Sequence, residues 1–156
     1  MAATLTSVNP ALYKGPVMAT QSILITNGQS WKAGQLLSVS SGALIAAASN
    51  SVACKFYALK DQADPGNATT YAEVGVIKAD HVFVMNELDG VVPATSIGQL
   101  HSLDVTSNVC TVDTADNTTP CFRVVGIAAL DQPLTDKSDD IHGRLYVSVL
   151  QTVLDT

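Results

Sequence analysis

The sequence predicts an all-β domain, either a small barrel or a jelly-roll-like sandwich of short antiparallel strands. Turn signals recur along it: Asn27-Gly28, Ser41-Gly42, Asp64-Pro65-Gly66-Asn67, Asp89-Gly90, Ser107-Asn108, Asp116-Asn117 and His142-Gly143. The segments between them are short and rich in Val, Ile, Leu, Thr and aromatic residues, which pack well on a pleated surface. No stretch carries a sustained apolar stripe of helical period. Barrels and sandwiches share this pattern of many short strands, so it leaves the choice between them open.

Residues 1–20 read as an extended N-terminal arm. Pro10, Gly15 and Pro16 interrupt any regular element there, and Ala, Thr and Ser dominate. The arm is expected to lie along a neighbouring molecule, and its removal to leave the melting temperature almost unchanged. Residues 21–156 are expected to form a single β domain. Strands are predicted over 21–26, 35–39, 54–59, 72–77, 81–85, 109–112, 122–128 and 144–150. Among these, Val82-Val84 and Leu145-Val147-Val149 alternate with other residues, as half-buried strands do. Short helical turns are expected at most over 46–53 and 94–100.

The chain also repeats itself. Gly34-Gln35-Leu36-Leu37-Ser38-Val39 matches Gly98-Gln99-Leu100-His101-Ser102-Leu103, and a polar turn and a second strand follow each. Later, Cys54-Lys55-Phe56 parallels Cys121-Phe122-Arg123 in the same order. A strand-turn-strand unit used twice closes one β structure from two similar halves.

Composition bounds the function. The 156 residues are 47% hydrophobic and 14% charged, against a usual charged share of about 25%. This excludes intrinsic disorder and points to a surface covered partly by neighbouring subunits. The longest apolar runs, 43–48 and 124–130, fall far short of the roughly 20 residues that span a bilayer. No secretory signal opens the chain, so cytoplasmic synthesis and no membrane partner are expected. Residues 1–60 hold Lys14, Lys32, Lys55 and Lys60 and no acid, whereas all fourteen acids follow residue 60. An acidic chain without Lys/Arg clusters is a poor ligand for phosphates, so no nucleic-acid partner is expected. The division of charge lets the opening of one copy meet the acidic body of another.

Chemistry-bearing motifs are few. Nucleotide loops, the hydrolase elbow and His-Glu-x-x-His are absent from the sequence. His81, His101 and His142 lack zinc-site spacing, although His101 and Cys110 could meet across a hairpin. Asp136-Lys137-Ser138-Asp139-Asp140 lacks the calcium-loop pattern and reads as a solvated acidic loop. No catalytic residue, metal or cofactor is expected, and the chain is not expected to be an enzyme. Cys54, Cys110 and Cys121 read as buried free thiols, with a Cys110–Cys121 disulfide as the other possibility. Trp31, beside a predicted strand, is either an interface anchor or a core-edge residue.

The run Trp31-Lys32-Ala33-Gly34-Gln35-Leu36-Leu37-Ser38-Val39 with Ser41-Gly42-Ala43-Leu44-Ile45 resembles the opening of small phage head proteins. Phe122-Arg123-Val124-Val125-Gly126-Ile127-Ala128 and Gly143-Arg144-Leu145-Tyr146-Val147-Ser148-Val149-Leu150 resemble their last strands. These are the decoration, or cement, proteins of tailed bacteriophage capsids, and the resemblance covers residues 30–150. It implies a homotrimer on the outer surface of the virion's icosahedral head, with the major capsid protein as partner. The loops over 64–71 and 131–141 are longer than the simplest members need. Under this resemblance Pro10, Tyr13, Lys14 and Trp31 are the candidate capsid or subunit contacts. The alternative is a phage fibre or adhesin module that binds host glycan through its loops.

Overall fold

A computed structural model describes residues 8–89, 96–127 and 143–156. The strands, in chain order, are β1 (Ala11–Lys14), β2 (Thr20–Leu24), β3 (Leu36–Ser40), β4 (Ala43–Ala46), β5 (Phe56–Ala58), β6 (Tyr71–Val76), β7 (Val82–Asn86), β8 (Leu100–Thr106), β9 (Val109–Asp113), β10 (Phe122–Ile127) and β11 (Arg144–Val149). One helical turn, α1 (Gln151–Leu154), follows. The protein is all-β, as the sequence predicts. Two antiparallel sheets pack together as a sandwich: a six-stranded one ordered β1-β7-β11-β10-β8-β9 and a five-stranded one ordered β2-β6-β5-β3-β4. Each sheet is also rolled. A single parallel bridge joins β2 to β4 through Ile25 and Leu44, and another joins the end of β7 to β9 through Glu87 and Val112.

Period-two patterning builds the larger core. Phe122 and Val124 of β10 are buried while the alternating Arg123 and Val125 are exposed, and Leu145, Val147 and Val149 of β11 are buried in turn. With Phe83, Met85 and Leu103 they form one apolar cluster that also takes in Leu36, Ala47, Cys54 and Ile77 from the five-stranded half. This cluster therefore seals the two halves together, each fully buried side chain contributing about 1.5–3 kcal/mol. A smaller cluster of Ile23, Ile25, Trp31, Leu37, Leu44, Ala58 and Val74 fills the inside of the five-stranded sheet.

The internal repeat is a repeat of hydrogen bonds. Gly34 N–H donates to Ala58 O at 2.7 Å, and Gly98 N–H donates to Val124 O at 2.7 Å. Both glycines are left-handed, with φ of +86° and +84°, a conformation that costs glycine little. Each then leads into a two-residue hairpin with both turn residues at positive φ, Ser41-Gly42 and Ser107-Asn108, the type I′ geometry that matches strand twist. The pairing β3–β5–β6–β2 recurs as β8–β10–β11–β7. One register differs from the sequence match. Lys55 N–H donates to Leu37 O and Cys121 N–H to His101 O, so Cys121 corresponds to Lys55 and not to Cys54.

Of the other expectations, some change and some hold. Residues 46–53 form no helix: Ala46 closes β4 and the rest is turn and loop. Over 94–100 a short turn does form at 96–98, with 94–95 outside the described residues, before Leu100 opens β8; the strands β4 and β8 are those the repeat implied. The described part of the arm, 8–20, does not stand apart from the domain, because β1 is the sixth strand of the larger sheet, paired with β7. The Asp136–Asp140 cluster and His142 lie outside the described residues.

Candidate binding surface

The arm is fixed by polar contacts made by its own residues. Val8 N–H donates to Asn86 Oδ1 at 3.0 Å. Asn9 clamps the β8–β9 hairpin: its Oδ1 accepts from Cys110 N–H and its Nδ2 donates to Asn108 O, both at 2.9 Å. Tyr57 O–H donates to Pro10 O at 2.8 Å. β1 then runs antiparallel to β7, pairing Ala11 with Val84, Leu12 with Phe83 and Lys14 with Val82, with a bulge at Tyr13. The bulge turns the Tyr13 ring onto Tyr146, at 4.3 Å between centroids. A hydrogen bond donated by the Tyr146 hydroxyl to Tyr13 holds the proton in place and raises the Tyr146 phenol above its ordinary pKa. At Gly15 a Cβ would stand 2.7 Å from Asp80 O, so only glycine lets the chain pass so close. Beyond it, buried His81 accepts Lys78 N–H on Nδ1, which leaves Nε2 protonated to donate to Pro16 O at 3.0 Å.

The four candidate contact residues separate on this frame. Tyr13 and Lys14 are exposed on β1. Pro10 is buried, its carbonyl spent on Tyr57. Trp31 is 3% exposed and packs in the smaller core, with reciprocal backbone bonds to Gln62. The interface reading of Trp31 is therefore corrected in favour of the core edge, where its large ring has more apolar area to bury. The sequence reading missed the exposed apolar side chains around Tyr13: Val8, Leu12 and, 97% exposed, Val17. Four large apolar groups within ten residues was the available signal.

Two polar residues stand where the first half has apolar ones. By the repeat, Ile25 corresponds to Glu87 and Leu37 to His101. Glu87 is 1% exposed, and its carboxylate accepts from Asp89 N–H at 2.6 Å and from the Thr114 hydroxyl at 2.9 Å. His101 is 7% exposed, and neither ring nitrogen has a hydrogen-bond partner. Burial lowers its pKa, and the carboxylates of Asp113 and Glu87 oppose that shift. His101 does not meet Cys110, whose cross-strand partner is Val105.

The three cysteines are free and buried in the larger core, so the structure holds no Cys110–Cys121 disulfide. A thiol–thiol hydrogen bond links Cys54 and Cys121. It raises the Cys121 pKa and lowers that of Cys54. Burial pushes Cys110 up to about 12, although its sulfur accepts from Leu36 N–H at 3.5 Å. Among the described residues no group of three His, Cys, Asp or Glu side chains is arranged to hold a metal ion, and no helix is long and apolar enough to cross a membrane. Comparison with protein-family models, with curated proteins and with solved structures finds no match.

Proposed function

We propose that this chain is a structural virion protein that binds the outer surface of a tailed-phage icosahedral head, as a homotrimeric cement clamping neighbouring subunits of the major capsid protein. The observation that carries the reading is the arm. Val8, Leu12, Tyr13 and Val17 hold apolar surface in water while hydrogen bonds at Val8, Asn9, Pro10 and Pro16 fix the backbone beneath them. A rigid, exposed apolar ribbon suits a contact with another protein, because little entropy is lost on binding. The low charge of the chain fits the same role. Repeated symmetrically over a shell, such contacts hold by avidity and stabilise it against internal DNA pressure by mass action.

The test is sedimentation of the purified protein with expanded heads that lack it. Saturation at a simple ratio to the shell subunit, with heads that then survive heating better, is the expected result. The double substitution Leu12→Asp with Val17→Asp should weaken that binding by about tenfold or more through burial of two charges at the contact. Absence of binding across salt and maturation states, together with capture of a host glycan, would assign the chain to a fibre module instead.

A further inference from the structure

The duplicated hydrogen-bond pattern leaves one strand over. In the six-stranded sheet β7 carries β11 on one side and β1 on the other. Its counterpart β2 carries β6 on one side, and beyond it, among the described residues, the five-stranded sheet has no strand in the place of β1. The direction of the ladder follows from two bonds, Ile25 N–H to Thr70 O and Val76 N–H to Ala19 O, both 2.8 Å. The backbone groups of Gln21, Ile23 and Ile25 therefore face β6, and those of Thr20, Ser22 and Leu24 face outward. Val82 and Val84, the equivalents of Thr20 and Ser22, lie opposite Lys14 and Ala11 of β1.

An open groove of about 530 Å³ lies along this edge. Residues 21–24 of β2 form one wall, and Val39, Phe56 and Tyr71 supply apolar surface. Val39 is 37% and Tyr71 63% exposed. Lys55 is the one charged residue in the lining. Glu73, the cross-strand partner of Ser22, lines an adjoining hollow that shares Tyr71 with the groove.

We infer that the outer edge of β2 accepts an extended segment of the shell subunit as an added antiparallel strand, as β1 is added to β7 within the chain. Backbone hydrogen bonds from Thr20, Ser22 and Leu24 give the register, and alternate apolar side chains of the segment enter the groove. An acidic side chain of the segment faces Lys55. The arm of a second copy is a poorer occupant: it carries Lys14 and no acid, and its bonds at Val8, Asn9 and Pro10 hold it to its own domain. This inference rests on the capsid-binding reading.

Two substitutions test it. Ser22→Pro removes an outward N–H and blocks an incoming strand without touching the β2–β6 ladder, a place where an edge strand tolerates proline. Lys55→Glu reverses the charge in the groove. The expected result is about a tenfold or greater loss of head binding for Ser22→Pro at a nearly unchanged melting temperature, and a salt-dependent loss for Lys55→Glu. If the unaltered protein does not bind heads, the capsid reading falls and this inference with it. Unaltered protein that binds while Ser22→Pro binds equally well overturns the inference alone. A trimer that dissociates on Ser22→Pro with no heads present makes a second copy the occupant and also overturns it. Should Ser22→Pro misfold, hydrogen exchange of the unaltered protein decides: amides of β2 must slow on head binding, and unchanged exchange refutes strand addition.

Discussion

Replacing His101 with Leu should make the protein more stable and remove a pH dependence. His101 occupies the position that Leu37 holds in the other half, where an apolar side chain completes the core. At 7% exposure, with both ring nitrogens unpartnered, the imidazole is desolvated without compensation, which costs roughly 1–3 kcal/mol. Leu returns that cost and adds apolar burial, so a gain of about 1–3 kcal/mol is expected, or roughly 2–4 °C of melting temperature per kcal/mol at this chain length. The pH dependence follows from the lowered pKa of the folded-state imidazole. Just below the ordinary value of about 6.5 the unfolded chain binds a proton that the folded chain refuses. Stability is therefore fully present above that value and is lost as pH falls toward the folded pKa. Thermal melts of both proteins from pH 7.5 down to 5 should give curves whose separation widens toward acid through that window. The carboxylates of Asp113 and Glu87, which oppose the shift, narrow that separation without reversing it. A His101→Leu variant less stable at every pH, or a separation that does not change with pH, would refute the reasoning.

The other predictions concern the arm, the thiols and the repeated turns. Removing residues 1–15 should lower stability by roughly 2–5 kcal/mol, from the lost β1–β7 pairing and four side-chain bonds at about 0.5–1.5 kcal/mol each; a melt unchanged from the full chain would mean β1 does not pair in solution. Native protein at pH 8 should resist a thiol reagent such as Ellman's, because Cys110 is pushed up to about 12 and all three sulfurs are buried, and it should release three equivalents when unfolded in denaturant. Gly34→Ala should cost at least about 1 kcal/mol, since the new Cβ stands 2.9 Å from Pro10 O at a φ of +86°; chemical denaturation measures it. Asn108→Gly, at φ +62° in the β8–β9 turn, should gain a few tenths of a kcal/mol by the same measurement.

Much of the fold was legible because local and global signals agree. Where one face of a strand is buried, as in β10 and β11, alternation marks it, and the paired hairpin turns were visible as Ser41-Gly42 and Ser107-Asn108. β1 was hidden for the opposite reason. All four of its residues are exposed, so no alternation distinguishes it, and Pro10 and Gly15 suggest irregular chain. Its place depends on Asn9 reaching Cys110, a hundred residues away, which no local pattern encodes. The second half of the repeat was read one residue out of register because two cysteines were matched by identity, whereas Lys55 and Cys121 share the same backbone bond. Trp31 was ambiguous because a large ring serves equally at an interface and at a core edge; burial settles that, and composition cannot.

The repeat also locates where the two halves have separate tasks. A pair of five-stranded units with the same hydrogen bonds should carry the same kind of core, and departures from that expectation need a cause. The first half keeps an apolar core with Ile25 and Leu37 and, among the described residues, leaves the edge of β2 open. The second half takes β1 onto the equivalent edge and carries Glu87 and His101 at the equivalent core positions. A free edge is a hazard for a soluble protein, since it invites unwanted pairing, and β1 removes that hazard on one side at little cost in length. Among the described residues the other edge stays open with Lys55 near it, as the proposed strand addition requires. The same comparison makes the buried imidazole the more dispensable of the two departures: its substitution is expected to stabilise the fold, whereas blocking the β2 edge is expected to leave the fold alone and remove binding. Measured side by side on one preparation, those opposite outcomes separate a residue tolerated by the core from an edge retained for a partner.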